Sequence, residues 1–373
     1  MPALDDILQQ KLSVFEAKRQ KRALKATGRG AGVKVRRDGR ELVSFSCNDY
    51  LGLTHHLQVI AAAKEALEKY GAGAGASRLV TGNYPLYDEL EAALAAYKGA
   101  EATCIFGSGY LANIGTIPAL VGAGDLILAD KFIHACIYDG ARLSGATVMR
   151  FAHNNLEHCR MLLEANRGEH HYCLILTETV FSMDGDRAPL EALKILAKEF
   201  DSWLMVDDAH GFPSTRKGEG IIEMGTLSKA VGSYGGYVCG SKTLVEYLKT
   251  AARSLIYSTA LPPATVAASI AALKMMAKEP ELLAKPLQHA RHFTALLGMK
   301  PAQSAIVPVI LKDNDKVLAA SALLEEKGFL VAAIRPPTVP EHTARLRFAF
   351  SALHEAAQIE AVANIVKEIM QIL

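Results

Sequence analysis

The sequence has almost no charge imbalance: 41 lysines and arginines against 39 aspartates and glutamates leave a formal net charge of +2. A chain so balanced lacks the basic footprint of a nucleic-acid or acidic-membrane binder. Cysteine is scarce as well. The six (Cys47, Cys104, Cys136, Cys159, Cys173 and Cys239) show no C-x-x-C spacing. This excludes the common zinc and redox frameworks and suits small buried hydrophobes in a reducing, cytoplasmic compartment. Long apolar runs are missing. The most uniform one, around Ala264 to Leu273, is too short to span a bilayer and follows Pro262-Pro263, so it reads as a buried helix. At the N-terminus Asp5 and Asp6 stand where a signal peptide would be apolar, and Leu4, Ile7, Leu8, Leu12 and Phe15 recur at helical spacing, which predicts an amphipathic docking helix.

Several catalytic signatures are absent too. There is no G-x-S-x-G elbow and no Walker lysine after a G-x-x-x-x-G run. The glycine run Gly71 to Arg78 is no dinucleotide fingerprint: it follows a helical pattern, and Arg78 stands where the third glycine belongs. It reads as a substrate loop. His289 and His292 share a helical face but have no partner carboxylate or cysteine motif, so they read as surface histidines rather than metal ligands. No internal repeat is present.

What is present is an alternation of strands and helices over most of the 373 residues. Thr103–Phe106, Leu126–Asp130, Thr147–Phe151, Cys173–Glu178 and Trp203–Asp207 are short apolar runs. Helical patterns separate most of them, which predicts a mostly parallel sheet with right-handed crossovers. Beyond Pro262-Pro263 the pattern changes. A long helical stretch to about Leu297 precedes strands at 305–311, 329–334 and 345–350, and a last helix holds Ile359, Val362, Ile365, Val366 and Ile369. The division expected is an N-terminal helix and arm (1–45), a large α/β domain (46–270) and a smaller α+β domain (271–373). In 345–350 the period is two, so Arg345 and Arg347 leave the face opposite Leu346, Phe348 and Phe350.

The chemistry concentrates between Trp203 and Lys229. One apolar run ends in Asp207-Asp208-Ala209-His210, and a second approach ends in Thr226-Leu227-Ser228-Lys229 before the glycines 232, 235 and 236. Strand ends of this kind deliver polar groups to the carboxyl edge of a sheet. An acid, an imidazole and an amine are the set a pyridine ring bearing an aldehyde requires. The amine forms an imine, the acid keeps the ring nitrogen protonated, and the imidazole bonds the ring hydroxyl. His134, four residues past a strand end, is placed to stack on such a ring. Strand, Gly107-Ser108-Gly109-Tyr110 and helix make a turn that either cradles a phosphate or is an ordinary strand-to-helix connection. The basic segment from Lys18 to Lys25 is either a solvated helix face or a grip on an anionic substrate tail.

Taken together, Ser46–Leu53, Ser108–Asn113, Phe181–Asp186, Asp207–Gly211 and Thr226–Lys229 resemble, in order and across nearly the whole chain, the α-oxoamine synthases. These are pyridoxal 5'-phosphate enzymes of the aspartate-aminotransferase-like fold type I, with a large, mostly parallel seven-stranded sheet domain. The segment Ile334–Pro340 with Thr343–Arg347 is most similar to the biotin-pathway branch. That branch joins L-alanine to a pimeloyl thioester, on coenzyme A or an acyl carrier protein, with loss of carbon dioxide. The resemblance implies Lys229 as the imine lysine and base, His134 on the ring and amino acid, Asp207 at the ring nitrogen, and His210 and Ser182 at the ring hydroxyl. It implies Thr226, Gly109 and Tyr110 as further cofactor contacts. Ser258 and Thr259 would reach the phosphate of a partner subunit in a homodimer. Arg347 would bind the amino-acid carboxylate, with Asn48 lining the site and Thr338 near the acyl chain.

Three positions depart from the pattern. The segment between His210 and Lys229 is shorter, with Gly211-Phe212-Pro213 in place of a small, glycine-spaced stretch. Tyr87 replaces a histidine. The arginine that grips the acyl tail falls on Lys25, which keeps the charge and loses the bidentate fork. A glycine-using oxoamine synthase, an aminotransferase of the same fold and a non-catalytic relative remain as alternatives, and the presence of Lys229, Asp207 and His134 argues against the last.

Overall fold

The computed structural model describes residues 3–213 and 220–372. The chain divides into two compact units, one made of residues 1–47 with 287–373 and the other of 48–286. The division falls at 286/287 rather than 270/271, because the helix Pro263–Met276 packs against the helices Leu57–Tyr70 and Pro85–Lys98 of the larger unit. The arm expected to stand apart belongs to the same unit as the C-terminal segment.

In the larger unit the described residues form a seven-stranded sheet. Its order is Ala102–Phe106, Gly236–Gly240, Ile221–Thr226, Trp203–Asp207, Cys173–Glu178, Leu126–Asp130 and Thr147–Phe151. Gly236–Gly240 runs antiparallel to both of its neighbours, and the other adjacent pairs are parallel. Both faces are covered, which explains why the strands read as continuous apolar runs. Ile127 and Ala129 join one buried cluster with Leu174, Leu176, Ile117 and Leu248, while Leu126 and Leu128 point the other way, to Ile175, Leu163 and Leu193. Gly236–Gly240, with a glycine at each end, is a strand that the sequence pattern leaves hidden. Tight backbone contact selects the glycine: a Cβ on Gly236 would lie 2.4 Å from the carbonyl oxygen of Ser108. The single long helix expected up to Leu297 is two, Pro263–Met276 and Pro280–Leu296, because the residue before a proline is driven out of the helical region.

The smaller unit holds a four-stranded sheet (Gly28–Arg29, Lys34–Arg37, Arg40–Ser44, Phe329–Leu330) and a three-stranded one (Ile306–Lys312, Ala344–Ala349, Ala332–Ile334). The run expected as one strand at 329–334 is therefore two short strands in different sheets, with Val331 at the switch. Leu346, Phe348 and Phe350 enter a core with Phe45, Phe293, Ile359 and Val366. Arg345 and Arg347 are buried on the opposite side of the strand, as the period of two demands. The helix Leu4–Ala17 buries none of its residues in this chain.

Candidate active site

Six strands of the large sheet, all but Gly236–Gly240, run in one sense, so the chain leaves each of them at the same edge. A cavity of about 210 Å³ lies there, lined by Ser108, Gly109, Tyr110, His134, Cys136, Glu178, Asp207, Ala209, His210, Met224, Thr226, Ser228 and Lys229. The structure thus gathers His134, Asp207, His210, Thr226 and Lys229 with the Gly109-Tyr110 turn. These groups come from the ends of separate strands.

Asp207 is the last residue of its strand and is buried. Its Oδ2 accepts from Asn113 Nδ2 at 2.9 Å and its Oδ1 from the Ala209 N–H at 2.9 Å. Burial raises its pKa, and the Lys229 charge and these donors oppose the rise. Asp208 turns away from the cavity onto Lys98, with Nζ 2.6 Å from its Oδ2. The two adjacent carboxylates therefore have separate surroundings.

Lys229 Nζ lies 2.7 Å from His210 Nε2. The next turn returns tightly: Gly232, at φ +70°, packs where a Cβ would come 2.7 Å from the Thr54 nitrogen, so the exit after the lysine requires glycine. His134 caps the helix Ala135–Ser144, its Nδ1 accepting from the Cys136 N–H at 3.2 Å and lying 2.9 Å from Cys136 Sγ. Burial lowers the His134 pKa and holds the imidazole neutral, and burial pushes the Cys136 thiol up to about 12. Asn113 Nδ2 also reaches Cys136 Sγ at 3.1 Å, so one amide touches both Asp207 and the partner of His134.

At the other end of the cavity the helix Gly109–Leu120 begins, with Ser108 Oγ accepting from the Leu111 N–H. Thr226 Oγ1 and Ser228 Oγ are 2.8 Å apart beside it. A Cβ on Gly109 would touch the Thr226 side chain at 3.4 Å, so the glycine lets the helix start close to these hydroxyls. Tyr110 is half exposed, and its hydroxyl donates to Asp139 Oδ2 at 2.7 Å.

Other expected residues lie elsewhere. Ser182 is buried behind the cavity, where its backbone N–H donates to the Glu178 carboxylate. Ser258 and Thr259 follow the short helix Arg253–Ile256, with Thr259 bridged to Ser77, and they do not line this cavity. Lys25, Thr338 and Arg347 belong to the smaller unit. There Arg22 Nη2 donates to Thr338 Oγ1 at 3.4 Å, and Lys25 is exposed. Tyr87 is a packing residue: its ring lies under the Arg78 guanidinium and its hydroxyl accepts from the Leu261 N–H at 2.6 Å. In the shortened segment Phe212 is buried on Tyr97, with the Lys98 ammonium 4.5 Å from its ring centroid, and residues 214–219 lie outside the described part.

Glu178 and Tyr50 are among the residues of the site that escape the sequence reading, with Asn113 and Cys136. Glu178, in register with Asp207 on the neighbouring strand, lines the cavity fully buried, and burial drives its pKa well up. The signal was available, since Cys173–Glu178 ends in a carboxylate as Trp203–Asp207 does. Tyr50 bonds His210 Nδ1 at 2.7 Å. No local signal could pair residues 160 positions apart.

The family model described as aminotransferase class I and II matches residues 40–366. An 8-amino-7-oxononanoate synthase from Methylobacterium nodulans is 54% identical over 369 residues, covering 99% of this chain and 97% of that one. One from Methylorubrum populi is 55% identical over 368 residues, covering 98% and 95%. Among solved structures, a serine palmitoyltransferase from S. paucimobilis with bound PLP–myriocin aldimine matches with TM-score 0.91 at 30% identity, covering 98% of this chain and 97% of that one. An 8-amino-7-oxononanoate synthase from Francisella tularensis matches with TM-score 0.75 at 27% identity, covering 88% and 98%. The chain belongs to the aminotransferase class I and II family, with the fold-type-I architecture, and groups there with the 8-amino-7-oxononanoate synthases.

Proposed function

We propose that the chain is a pyridoxal-phosphate-dependent acyltransferase that condenses L-alanine with a pimeloyl thioester to give 8-amino-7-oxononanoate, carbon dioxide and the free thiol, in biotin biosynthesis. The observation that carries this reading is one cavity holding Lys229, His210, Asp207 and His134 at neighbouring strand ends, in a chain 54% identical to a synthase of that name.

The residues suit the cofactor. A buried carboxylate held by Asn113 and the Ala209 N–H is a partner for a protonated ring nitrogen, and a helix N-terminus beside two hydroxyls is a partner for a phosphate dianion. When bound, the cofactor supplies an aldehyde for amine chemistry and an electron sink for the carbanion. Lys229 is the amine and the base. Its Nζ lies 2.7 Å from His210 Nε2, within reach for the imidazole to take its proton. Asp207, whose pKa burial raises and the Lys229 charge and its hydrogen-bond donors pull back, would pair with the ring nitrogen of the bound cofactor, and neutral His134 would offer a flat, uncharged face to the ring and the amino acid. Ser182 holds Glu178 through its backbone, and Glu178 in turn accepts from the backbone N–H of His134, fixing the point of the chain from which the imidazole projects.

We assign the acyl tail's carboxylate to Arg22 rather than Lys25. Arg22 reaches Thr338, the residue expected near the acyl chain, and a guanidinium keeps the bidentate fork. Arg347 takes the amino-acid carboxylate, with Asn48 lining the site. A homodimer in which Ser258 and Thr259 complete the partner's site accounts for their position away from their own cavity. The six cysteines form no disulfide among the described residues, which suits the cytoplasm. No described helix is long and apolar enough to cross a membrane.

The 0.91 TM-score to a serine palmitoyltransferase favours, as a second reading, serine as the amino acid. The deciding assay is thiol release. Alanine with pimeloyl-coenzyme A is expected to give turnover. Release with glycine and acetyl-coenzyme A alone, or with serine and a long acyl chain alone, overturns the alanine reading.

A further inference from the structure

Tyr50 takes no part in the reading above, yet it touches the histidine that serves the lysine. It sits in the tight turn Asn48–Gly52, 2% exposed. Its N–H bonds the Asn48 carbonyl at 2.8 Å, and Asp49 Oδ1 accepts the Leu53 N–H at 3.0 Å. Gly52, at φ +70°, completes the turn. The backbone therefore fixes where the phenol points.

The hydroxyl lies 2.7 Å from His210 Nδ1 and 3.3 Å from Asn48 Oδ1, and the other ring nitrogen of His210 lies 2.7 Å from Lys229 Nζ. Proton counting orders this chain. An amide oxygen only accepts, so the single tyrosine proton goes to Asn48 Oδ1. The tyrosine oxygen then accepts a proton from Nδ1, and Nε2 is left with its lone pair toward the lysine amine. The reverse order leaves Asn48 Oδ1 without the tyrosine donor and sets Nε2–H against the N–H groups of the Lys229 ammonium, which has no lone pair to accept it, donor to donor.

We propose that Tyr50 is a positioning residue that holds His210 in its Nδ1–H form, so that Nε2 is the acceptor for Lys229, with Asn48 anchoring the phenol. The histidine thereby meets the charged lysine as an acceptor rather than as a second donor. The tautomer assignment stands on geometry alone; its catalytic consequence rests on the function proposed above.

The test uses the full-length protein labelled with ¹⁵N-histidine, first free of cofactor, with His210→Gln identifying the His210 resonances. The expected spectrum has Nδ1 protonated and Nε2 bare, and in Tyr50→Phe the proton moves to Nε2 or averages over both. A wild-type proton on Nε2, or unchanged His210 signals in Tyr50→Phe, overturns the proposal. Asn48→Leu is the second variant: it releases the tyrosine proton toward Nδ1 and should drive the proton to Nε2. Loaded with pyridoxal phosphate, Tyr50→Phe should lose about tenfold in kcat, the scale of one hydrogen bond, with KM for the amino acid changed less than about twofold. A shifted pH dependence of the visible cofactor band should accompany the loss. An unchanged kcat and band overturn the catalytic consequence. If the wild-type protein forms no visible band with added cofactor, the proposed function fails while the tautomer result stands.

Discussion

Lys98 Nζ lies 2.6 Å from Asp208 Oδ2, with both side chains essentially removed from solvent. Glu223, on the adjacent strand, takes the same ammonium at 2.9 Å. One cation thus sits between two carboxylates behind the strand ends that carry the site. Burial would lower the lysine's pKa, but Asp208 and Glu223 outweigh it and the net shift is upward. Lys98→Met leaves two buried carboxylates without their cation and should cost about 3–5 kcal/mol of stability. Urea unfolding measures this. Adding Asp208→Asn and Glu223→Gln should recover most of the loss; no recovery would show that the triad is not its source.

His153 is held between Asp130 and Asp186, its ring nitrogens 2.9 and 2.8 Å from their oxygens. Burial alone would lower its pKa, but the two hydrogen bonds and charges prevail and raise it to about 9. The folded state therefore binds more protons than the unfolded one between the ordinary value of 6.5 and about 9. Its contribution is complete below 6.5 and lost as pH climbs through 9. The unfolding midpoint should fall across that window, and His153→Gln should flatten the fall. A slope unchanged in the variant would remove His153 as its cause.

His354 works in the opposite direction. Its ring stacks on Phe45 at a centroid distance of 4.1 Å, its Nε2 donates to the Ser44 carbonyl, and its Nδ1 accepts the Ser351 N–H. Burial lowers its pKa to about 4, and the backbone bonds oppose that only in part. Between 4 and 6.5 the unfolded chain binds the extra proton, so the stabilisation present above 6.5 is lost as pH falls toward 4. About 3 kcal/mol rides on a shift of this size. Acid unfolding of His354→Leu should show a shallower limb than the wild type.

Local pattern carried the sheet and the chemistry further than it carried the partners. Apolar runs ending in Asp130, Glu178 and Asp207 located parallel strands, because a strand buried on both faces has to be apolar along its length. The lysine, acid and histidines then met at one edge because parallel strands end together. Gly236–Gly240 stayed hidden because its glycines are chosen by backbone contact with Ser108, a distance that no period encodes. Phe329–Ile334 read as one strand because the switch between sheets at Val331 leaves no mark on hydrophobicity. Tyr50 belonged to a recognisable motif, yet its use depends on His210, which only folding brings to it.

Gly236 ties that hidden strand to the cofactor. A Cβ there would stand 2.4 Å from the Ser108 carbonyl oxygen and 2.6 Å from the Gly109 nitrogen. The backbone angle of Gly236 is not left-handed, so alanine is opposed by the collision alone. Relief requires the start of the Gly109–Leu120 helix to move away from Thr226, and with it the N–H groups proposed to hold the phosphate. Overpacking of this kind costs about 1–3 kcal/mol, so Gly236→Ala should weaken pyridoxal phosphate binding about tenfold or more. A fluorescence titration of the cofactor-free protein reads the change. Gly73→Ala, where an added Cβ meets nothing within 4 Å, is the control and should bind as the wild type does. Equal affinities for all three proteins would show that the helix start does not hold the phosphate.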